Sequence, residues 1–272
     1  MIKRVLFVAM ILVLSACAPK YSYRPDDLPP ESIDRLLVVL DFTQFVDDVG
    51  EVFDYNMTDN QKRAAVLQAD ISRLLQDKGY SGRFEFALLA SGLGFNPEWG
   101  FEYYQNNELL EDLIYPPFYL TSSYPGAVQD ELIHSYIEAQ RIATTDVSED
   151  TLNYLNRVRL TPVNLWPTSE DAIVEEHNFR DKVAILHVRV LVPRVSFVKA
   201  MGMSVVTAGL TLGATSGAFI GVAVPMGRPH STALLFSNET GKVMWKNYTL
   251  GDLTRSSDNG LNNFFKDFPV TP

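Results

Sequence analysis

The sequence has little of the chemistry that most enzymes use. Its 272 residues include one cysteine and four histidines. A single cysteine excludes an internal disulfide. The histidines are too scattered for a metal-ligand spacing: His134, His177, His187 and His230. The sequence also lacks a G-x-S-x-G elbow, an H-E-x-x-H pair and a phosphate-binding loop. We therefore expect no metal, no cofactor and no enzymatic activity.

Basic residues are also scarce. The chain has 23 Lys and Arg against 33 Asp and Glu, which gives a net charge of -10. An acidic surface repels phosphate backbones, and no basic patch is evident in the sequence, so nucleic acid is excluded as a partner. The hydrophobic content of 46% and the mean hydropathy of -0.01 exclude a disordered chain and a multi-pass membrane protein. The length and composition fit a single globular domain.

The amino terminus has the order of a secretory signal. Lys3 and Arg4 precede an apolar run of about ten residues, and small residues follow. The run is shorter than the roughly 20 apolar residues that a membrane-spanning helix needs. Leu14-Ser15-Ala16-Cys17 contains the only cysteine and resembles the lipobox of bacterial lipoproteins. The resemblance implies cleavage before Cys17, lipidation of its sulfur and acylation, by palmitate for example, of its amino group. The alternative is an ordinary cysteine in a signal peptide that is cleaved elsewhere.

The resemblance also implies a location and a division of the chain. Ala18 stands where an aspartate tends to retain Gram-negative lipoproteins in the inner membrane, so we expect a lipid anchor in the outer membrane that faces the periplasm. We predict a signal peptide over residues 1–16 and a proline-rich, lipidated tether over 17–34. Residues 35–272 are predicted to form one periplasmic domain.

The mature chain predicts an α/β fold with a mixed sheet and flanking helices. The uninterrupted Leu/Val run at 35–42 is typical of a strand that is covered on both faces. A helix is expected from a capping box of Thr58 and Gln61 to Gly79, so that a strand at 84–90 closes a β-α-β unit. Further elements are expected over these ranges: a helix from Pro125, a short helix at 170–176, a strand at 183–192, a hairpin of 231–237 with 242–249, and a helix at 261–268.

Residues 200–227 carry no charged side chain. Gly209, Gly213, Gly217 and Gly221 recur at every fourth position, which on a helix forms a stripe that another helix can approach closely. Three interpretations stay open: a transmembrane helix, a buried glycine-rich helix, or an excursion that packs on a membrane or on copies of the chain. The predicted strands on either side share a sheet, which argues against a single crossing.

Two other parts of the domain hold candidate binding groups. Asp41 lies near a strand end, and three acidic residues follow it that would complete a cation site or form a solvated acidic loop: Asp47, Asp48 and Glu51. We favour the solvated loop. His187, in a predicted core strand, is expected to be packed and hydrogen-bonded. The aromatic residues of 95–124 would stack on sugars or cover the sheet edge and fill the core, and we favour the second role.

A wider resemblance joins these features. The lipobox, the first strand with its helix, Thr240-Gly241-Lys242-Val243-Met244-Trp245 and the closing Phe264–Pro269 segment resemble envelope lipoproteins similar to the curli-secretion lipoprotein and the amino-terminal domain of TolB. This resemblance implies a mixed α/β domain, a periplasmic accessory role and ring formation. The leading hypothesis is a non-enzymatic lipoprotein that assembles with itself or with partners in envelope transport or biogenesis. The alternatives are a periplasmic protein that binds or hydrolyses cell-wall glycans and a structural surface antigen.

Overall fold

The computed structural model describes residues 22–25, 33–47, 53–95, 101–106, 108–110, 117–144, 149–165, 183–195, 228–255 and 258–270. Within these ranges nine strands form one mixed sheet with flanking helices, which confirms the predicted fold class. The strands are Arg35–Asp47 (β1), Phe53–Asn56 (β2), Phe84–Ser91 (β3), Phe101–Gln105 (β4), Glu108–Leu110 (β5), Tyr119–Ser122 (β6), Val183–Val195 (β7), His230–Ser237 (β8) and Val243–Leu250 (β9).

The sheet is organised around β1. Over its whole length β1 pairs in parallel with β7, and the antiparallel strands β8 and β9 continue the sheet on that side. The other edge of β1 has two partners. Residues Leu36–Asp41 pair in parallel with β3, and Val46 and Asp47 pair antiparallel with β2. The sheet therefore forks beyond Asp41, with β3 and β6 in one branch and β2, β4 and β5 in the other.

Four α-helices lie among the described residues, Met57–Leu75 (α1), Gly126–Ala143 (α2), Glu149–Arg157 (α3) and Asp258–Phe264 (α4). Each of the two longest helices buries one apolar stripe, with Leu67 and Ile71 on that of α1 and Leu132 and Tyr136 on that of α2. The strand β1 is buried on both faces because Leu36, Val38 and Leu40 pack with α1 and α4, while the alternate residues Leu37 and Val39 pack with α2. These two sides are called the α1 face and the α2 face.

Some predicted helix boundaries are corrected by the structure. The capping box of Thr58 and Gln61 is wrong, because α1 begins at Met57 and Asn56 caps it by accepting a 2.9 Å hydrogen bond from the Asp59 amide. The Thr58 hydroxyl instead accepts from the Asn106 amide. Pro125 caps α2 rather than starting it. After Leu75, α1 continues into a π-helical turn, Gln76–Tyr80. Gly79 ends the regular helical backbone in this turn, as predicted, with a φ of 90° that favours glycine.

The other predicted elements agree best with the structure in the carboxy-terminal part of the chain. The carboxy-terminal hairpin forms as predicted, with a bulge between Leu235 and Phe236. The last helix begins at Asp258 and ends at Phe264, so both of its ends come earlier than the predicted 261–268. Phe265 and Phe268 remain buried behind it. Strands β2, β4, β5 and β6 and helix α3 were not predicted. The expected helix at 170–176 lies outside the described residues, as does the apolar insertion at 200–227.

The predicted tether touches the domain at one point. Tyr23 forms an antiparallel bridge with Lys246 on the outer edge of β9, through two backbone hydrogen bonds of 2.9 and 3.0 Å. Its ring is 5% exposed, and its hydroxyl donates to Asn156 of α3 at 2.7 Å. These contacts hold residues 22–25 against the open edge of the sheet.

Candidate functional site

The fork of the sheet holds a cluster of buried polar groups on the α2 face. It lies at the carboxyl end of β3, where the parallel pairing of β3 with β1 stops at Asp41, and open α/β sheets bind their ligands beyond the carboxyl ends of their strands. Asp41 and Thr43 enter it from β1, and Ser91 and Gly92 enter it from the end of β3. All three side chains are 0% exposed. This position makes the cluster the first place to look for function.

The Asp41 carboxylate is the centre of the cluster. Its Oδ1 accepts from the Gly92 amide at 3.0 Å and from the Thr43 hydroxyl at 3.1 Å. Its Oδ2 accepts from the Tyr136 hydroxyl at 2.6 Å, and this bond ties α2 to the centre of the sheet. The Arg189 Nε lies 3.7 Å from the same oxygen. Each carboxylate oxygen therefore has a donor inside the protein, as a buried charge requires.

The pairing of Asp41 with Arg189 follows from strand register. The two residues are direct partners in the parallel pair β1–β7, so their side chains leave the sheet on the same face. The guanidinium packs against Gly94, where an added Cβ would lie 2.8 Å from one of its nitrogens. A side chain at position 94 would therefore require the end of the Arg189 guanidinium to shift.

A second branch of the cluster extends to β2. The Tyr55 hydroxyl donates to Ser91 at 2.6 Å, and the Ser91 hydroxyl donates to Thr43 at 3.4 Å. The Phe118 ring covers this branch, with its centroid 4.0 Å from that of Tyr55 and two of its carbons against Gly92. Phe95 and Tyr103 complete the aromatic cover. These described aromatic residues of 95–124 thus fill the core, as favoured above.

His187 is packed and hydrogen-bonded, as predicted. It lies two residues before Arg189 on the same face of β7, its Nε2 is 3.1 Å from the Ser135 hydroxyl of α2, and its ring stacks on Phe236 at 5.5 Å. Complete burial lowers its pKa to about 3, so the ring is neutral near pH 7. This makes His187 part of the contact between β7 and α2.

Desolvation dominates the titration of the cluster. Burial raises the pKa of Asp41, opposed by the Arg189 charge and by the hydrogen bonds from Tyr136, Thr43 and Gly92. Burial also raises the pKa of Tyr136 well above its ordinary value, and the Asp41 charge adds to the effect. Tyr136 therefore stays a hydroxyl donor under ordinary conditions.

These positions correct the acidic-loop interpretation of Asp41. The residue lies inside β1, where it accepts hydrogen bonds from its neighbours. Asp47 ends the same strand half-buried, and Asp48 and Glu51 lie outside the described residues. Among the residues that the structure describes, no group of three or more His, Cys, Asp or Glu side chains has an arrangement that would hold a metal ion.

The buried cluster is suited to holding elements together. Asp41 and His187 are both 0% exposed, so an external substrate has no access to them in this conformation. Two further polar contacts join helix α2 to the sheet. Thr232 donates to Gln140 at 2.8 Å, and the buried Lys246 donates to the Ile142 carbonyl at 3.0 Å. These bonds fix the position of α2 on the sheet, which apolar packing alone defines less sharply.

A second candidate site is an open groove at the β9 edge, with a volume of about 580 Å³. Three of its lining residues are basic and none is acidic. We call it the basic groove, and it is lined by Ser22, Tyr23, Arg24, Pro25, Leu152, Asn156, Arg159 and Lys242. The sequence did not indicate it, because its three basic residues come from distant parts of the chain.

The principal residues predicted from the sequence lie elsewhere in the chain. Cys17 is outside the described residues, and so are Gly209, Gly213, Gly217 and Gly221. The structure instead brings together Asp41, Arg189 and Tyr136, a group that the sequence analysis missed. One signal was present, since His187 and Arg189 put two polar side chains on one face of an otherwise apolar strand.

Comparisons with models of known families, with curated proteins and with solved structures find no match to this chain. A search of the described helices for a membrane span finds none with the length and apolar character to cross a bilayer.

Proposed function

We propose that the protein is a lipid-anchored lipoprotein of the bacterial outer membrane that acts without catalysis, as an accessory or assembly component of an envelope transport or biogenesis system. The observation that carries the proposal is the lone cysteine in Leu14-Ser15-Ala16-Cys17, directly after a basic and then apolar signal. Several acyl chains give stable anchoring, because each buried CH₂ contributes about 0.8 kcal/mol.

The buried cluster is consistent with a non-catalytic role. Its carboxylate, hydroxyl and guanidinium groups contact one another, and Asp41 is closed to solvent. Of the described aromatic residues in 95–124 that a glycan-binding protein would present on its surface, Phe95, Tyr103 and Phe118 are less than a tenth exposed. The other three, Tyr104, Tyr119 and Tyr124, are half-buried. The glycan-hydrolase alternative therefore gains no support from these two features.

The topology bears on the glycine stripe and on self-association. The carboxyl half of β7 pairs with the start of β8, with Leu191 opposite His230. The connection that contains residues 200–227 therefore leaves and re-enters the sheet at the same end. Such a connection favours an excursion over a single crossing of a membrane. An uncharged, glycine-striped excursion is suited to packing on a membrane or on a second copy of the chain.

The test is the covalent state of Cys17 in the mature protein. We expect mass spectrometry of the membrane fraction to find an amino-terminal Cys17 that carries acyl chains, and the Cys17→Ser chain to lose this modification. The control is Ser15→Ala, which keeps the small residue and the cysteine. An unmodified thiol in the wild-type protein would overturn the proposal.

The same membranes test self-association. We expect chemical crosslinking to give a defined oligomer that Gly213→Leu with Gly217→Leu disrupts, because leucine side chains would fill the stripe. The matched control is Leu210→Ala with Leu212→Ala, which changes the same segment without filling the stripe. An oligomer of unchanged size in the glycine variant would contradict the assembly role.

A further inference from the structure

The basic groove stands out on a chain with an excess of acidic residues. The net charge of the whole chain is -10, yet Arg24, Arg159 and Lys242 line one open groove. Neither Arg24 nor Arg159 forms an ion pair with a carboxylate among the described residues. Both are exposed. Exposed arginines without a carboxylate partner leave a local positive potential that an anion can neutralise.

The arginines are positioned by the fold. Arg159 donates from one nitrogen to the Asn156 and Val158 carbonyls, both at 2.8 Å, which holds its guanidinium at the end of α3. Arg24 follows Tyr23, whose pairing with β9 fixes the backbone at this point.

The groove is also close to the proposed anchor. Ser22 lines the groove and is five residues after Cys17, and five residues of extended chain span at most about 18 Å. Leu152 lines the same groove and is 39% exposed. Arginines beside an exposed leucine match the boundary between phosphate headgroups and acyl chains, where cations meet phosphates and apolar side chains enter the upper hydrocarbon.

We propose that the basic groove docks on the anionic phosphate headgroups of the membrane that holds the lipid anchor, and so orients the domain on the bilayer. This inference rests on the lipid anchoring proposed above. A short tether gives the groove a high effective concentration of headgroups, so that contacts too weak to bind a free domain become occupied. Arg24 and Arg159 contact phosphate, and Leu152 contacts the acyl boundary.

The experiment uses the mature lipoprotein reconstituted into vesicles. A photoreactive benzoylphenylalanine is placed at position 152 in the groove or, as a control, at position 66 on α1, where Val66 is 53% exposed. The vesicles contain phosphatidylcholine alone or roughly a third of phosphatidylglycerol. We expect lipid crosslinking from position 152 to be about five-fold stronger, or more, with phosphatidylglycerol. We expect crosslinking from position 66 to be weak in both.

Charge variants identify the residues responsible. Arg24→Gln with Arg159→Gln should return crosslinking from position 152 to its level in phosphatidylcholine, a loss of about five-fold or more for the pair. Lys62→Gln with Arg73→Gln on α1 removes the same net charge elsewhere and should leave crosslinking unchanged. Equal crosslinking in the two vesicle types, or no loss in the arginine variant, would overturn the proposal.

Two further readouts separate the remaining explanations. If calorimetry finds that Arg24→Gln with Arg159→Gln abolishes binding of inorganic phosphate, while crosslinking does not depend on phosphatidylglycerol, the groove binds a soluble phosphate and the membrane assignment is wrong. Flotation tests the anchor independently. A protein that floats with neither vesicle type refutes the anchoring proposal, whereas one that floats with equal crosslinking refutes the groove alone.

Discussion

The two faces of the central sheet are equally buried but chemically different. On the α1 face, β1 and β7 present apolar side chains from Leu36 to Phe42 and from Leu186 to Val192, and these pack with Trp245 and Phe265. On the α2 face, the same strands present Asp41 and His187, both fully buried, and Arg189, whose side chain is 13% exposed, among their apolar neighbours. The sheet thus has an apolar core on its α1 face and a core with buried polar and charged side chains on its α2 face.

The difference lies in how each face positions its helix. Apolar contacts are non-directional and tolerate changes of shape when volume is conserved. Hydrogen bonds such as that from Tyr136 to Asp41 have narrow geometric limits and leave costly unsatisfied groups when they break. The α1 face should therefore tolerate conservative substitution better than the α2 face. The three predictions below test this contrast.

The largest expected effect comes from adjacent residues on opposite faces. Asp41→Leu leaves Arg189 without its counter-charge and Tyr136 without its acceptor, and should lower the free energy of unfolding by about 3–5 kcal/mol. Leu40→Met, one residue away on the α1 face, should cost less than about 1.5 kcal/mol. Urea unfolding followed by tryptophan fluorescence measures the free energy of unfolding of both variants. An equal loss of free energy of unfolding in the two variants would contradict the proposed difference between the faces.

The apolar face is also the part of the fold that the sequence predicted well. The Leu/Val run of β1, the spacing of Ala64, Leu67 and Ile71 in α1, and the closing phenylalanines all carry their periodicity in the sequence. Each of these signals is local. A buried stripe or a doubly covered strand can be identified without knowing which element packs against it.

The fork and its polar cluster depend on contacts that are distant in the sequence. Asp41 meets Tyr136 across 95 positions, and strand register alone brings it to Arg189. Nothing next to Asp41 distinguishes a buried carboxylate from an acidic loop, and the acidic residues that follow it favoured the loop. The short strands β4 and β5 were missed for a related reason, because their three to five residues show too little alternation to stand out.

The second prediction concerns acid. The His187 ring has a pKa of about 3 in the folded chain and about 6.5 when unfolded, so between these values only the unfolded chain binds its proton. Above about pH 6.5 the ring is neutral in both states, and its titration does not lower the free energy of unfolding. Below that pH, protonation of the unfolded chain lowers the free energy of unfolding by about 1.4 kcal/mol for each pH unit. At pH 5 this loss amounts to about 2 kcal/mol.

His187→Leu isolates this effect. Unfolding of both chains is measured at pH 8 and at pH 5, and the drop between the two should be smaller in the variant by about 2 kcal/mol. The raised pKa of Asp41 acts with the opposite sign, since its folded form binds a proton more readily, but it is present in both chains and cancels in the difference. Parallel pH profiles would contradict a neutral, buried His187.

The smallest effect tests a single bond on the α2 face. Thr232→Val keeps the side-chain shape but removes the hydroxyl that donates to Gln140, and it should cost about 1–3 kcal/mol because a buried amide oxygen loses its donor. Replacing both partners, Thr232→Val with Gln140→Leu, should cost less than the single change, since no polar group is then left unpaired. Urea unfolding measures both variants. If the double variant loses more free energy of unfolding than the single one, the hydrogen bond does not explain why the α2 face tolerates substitution poorly. Side-chain shape alone would then distinguish the two cores.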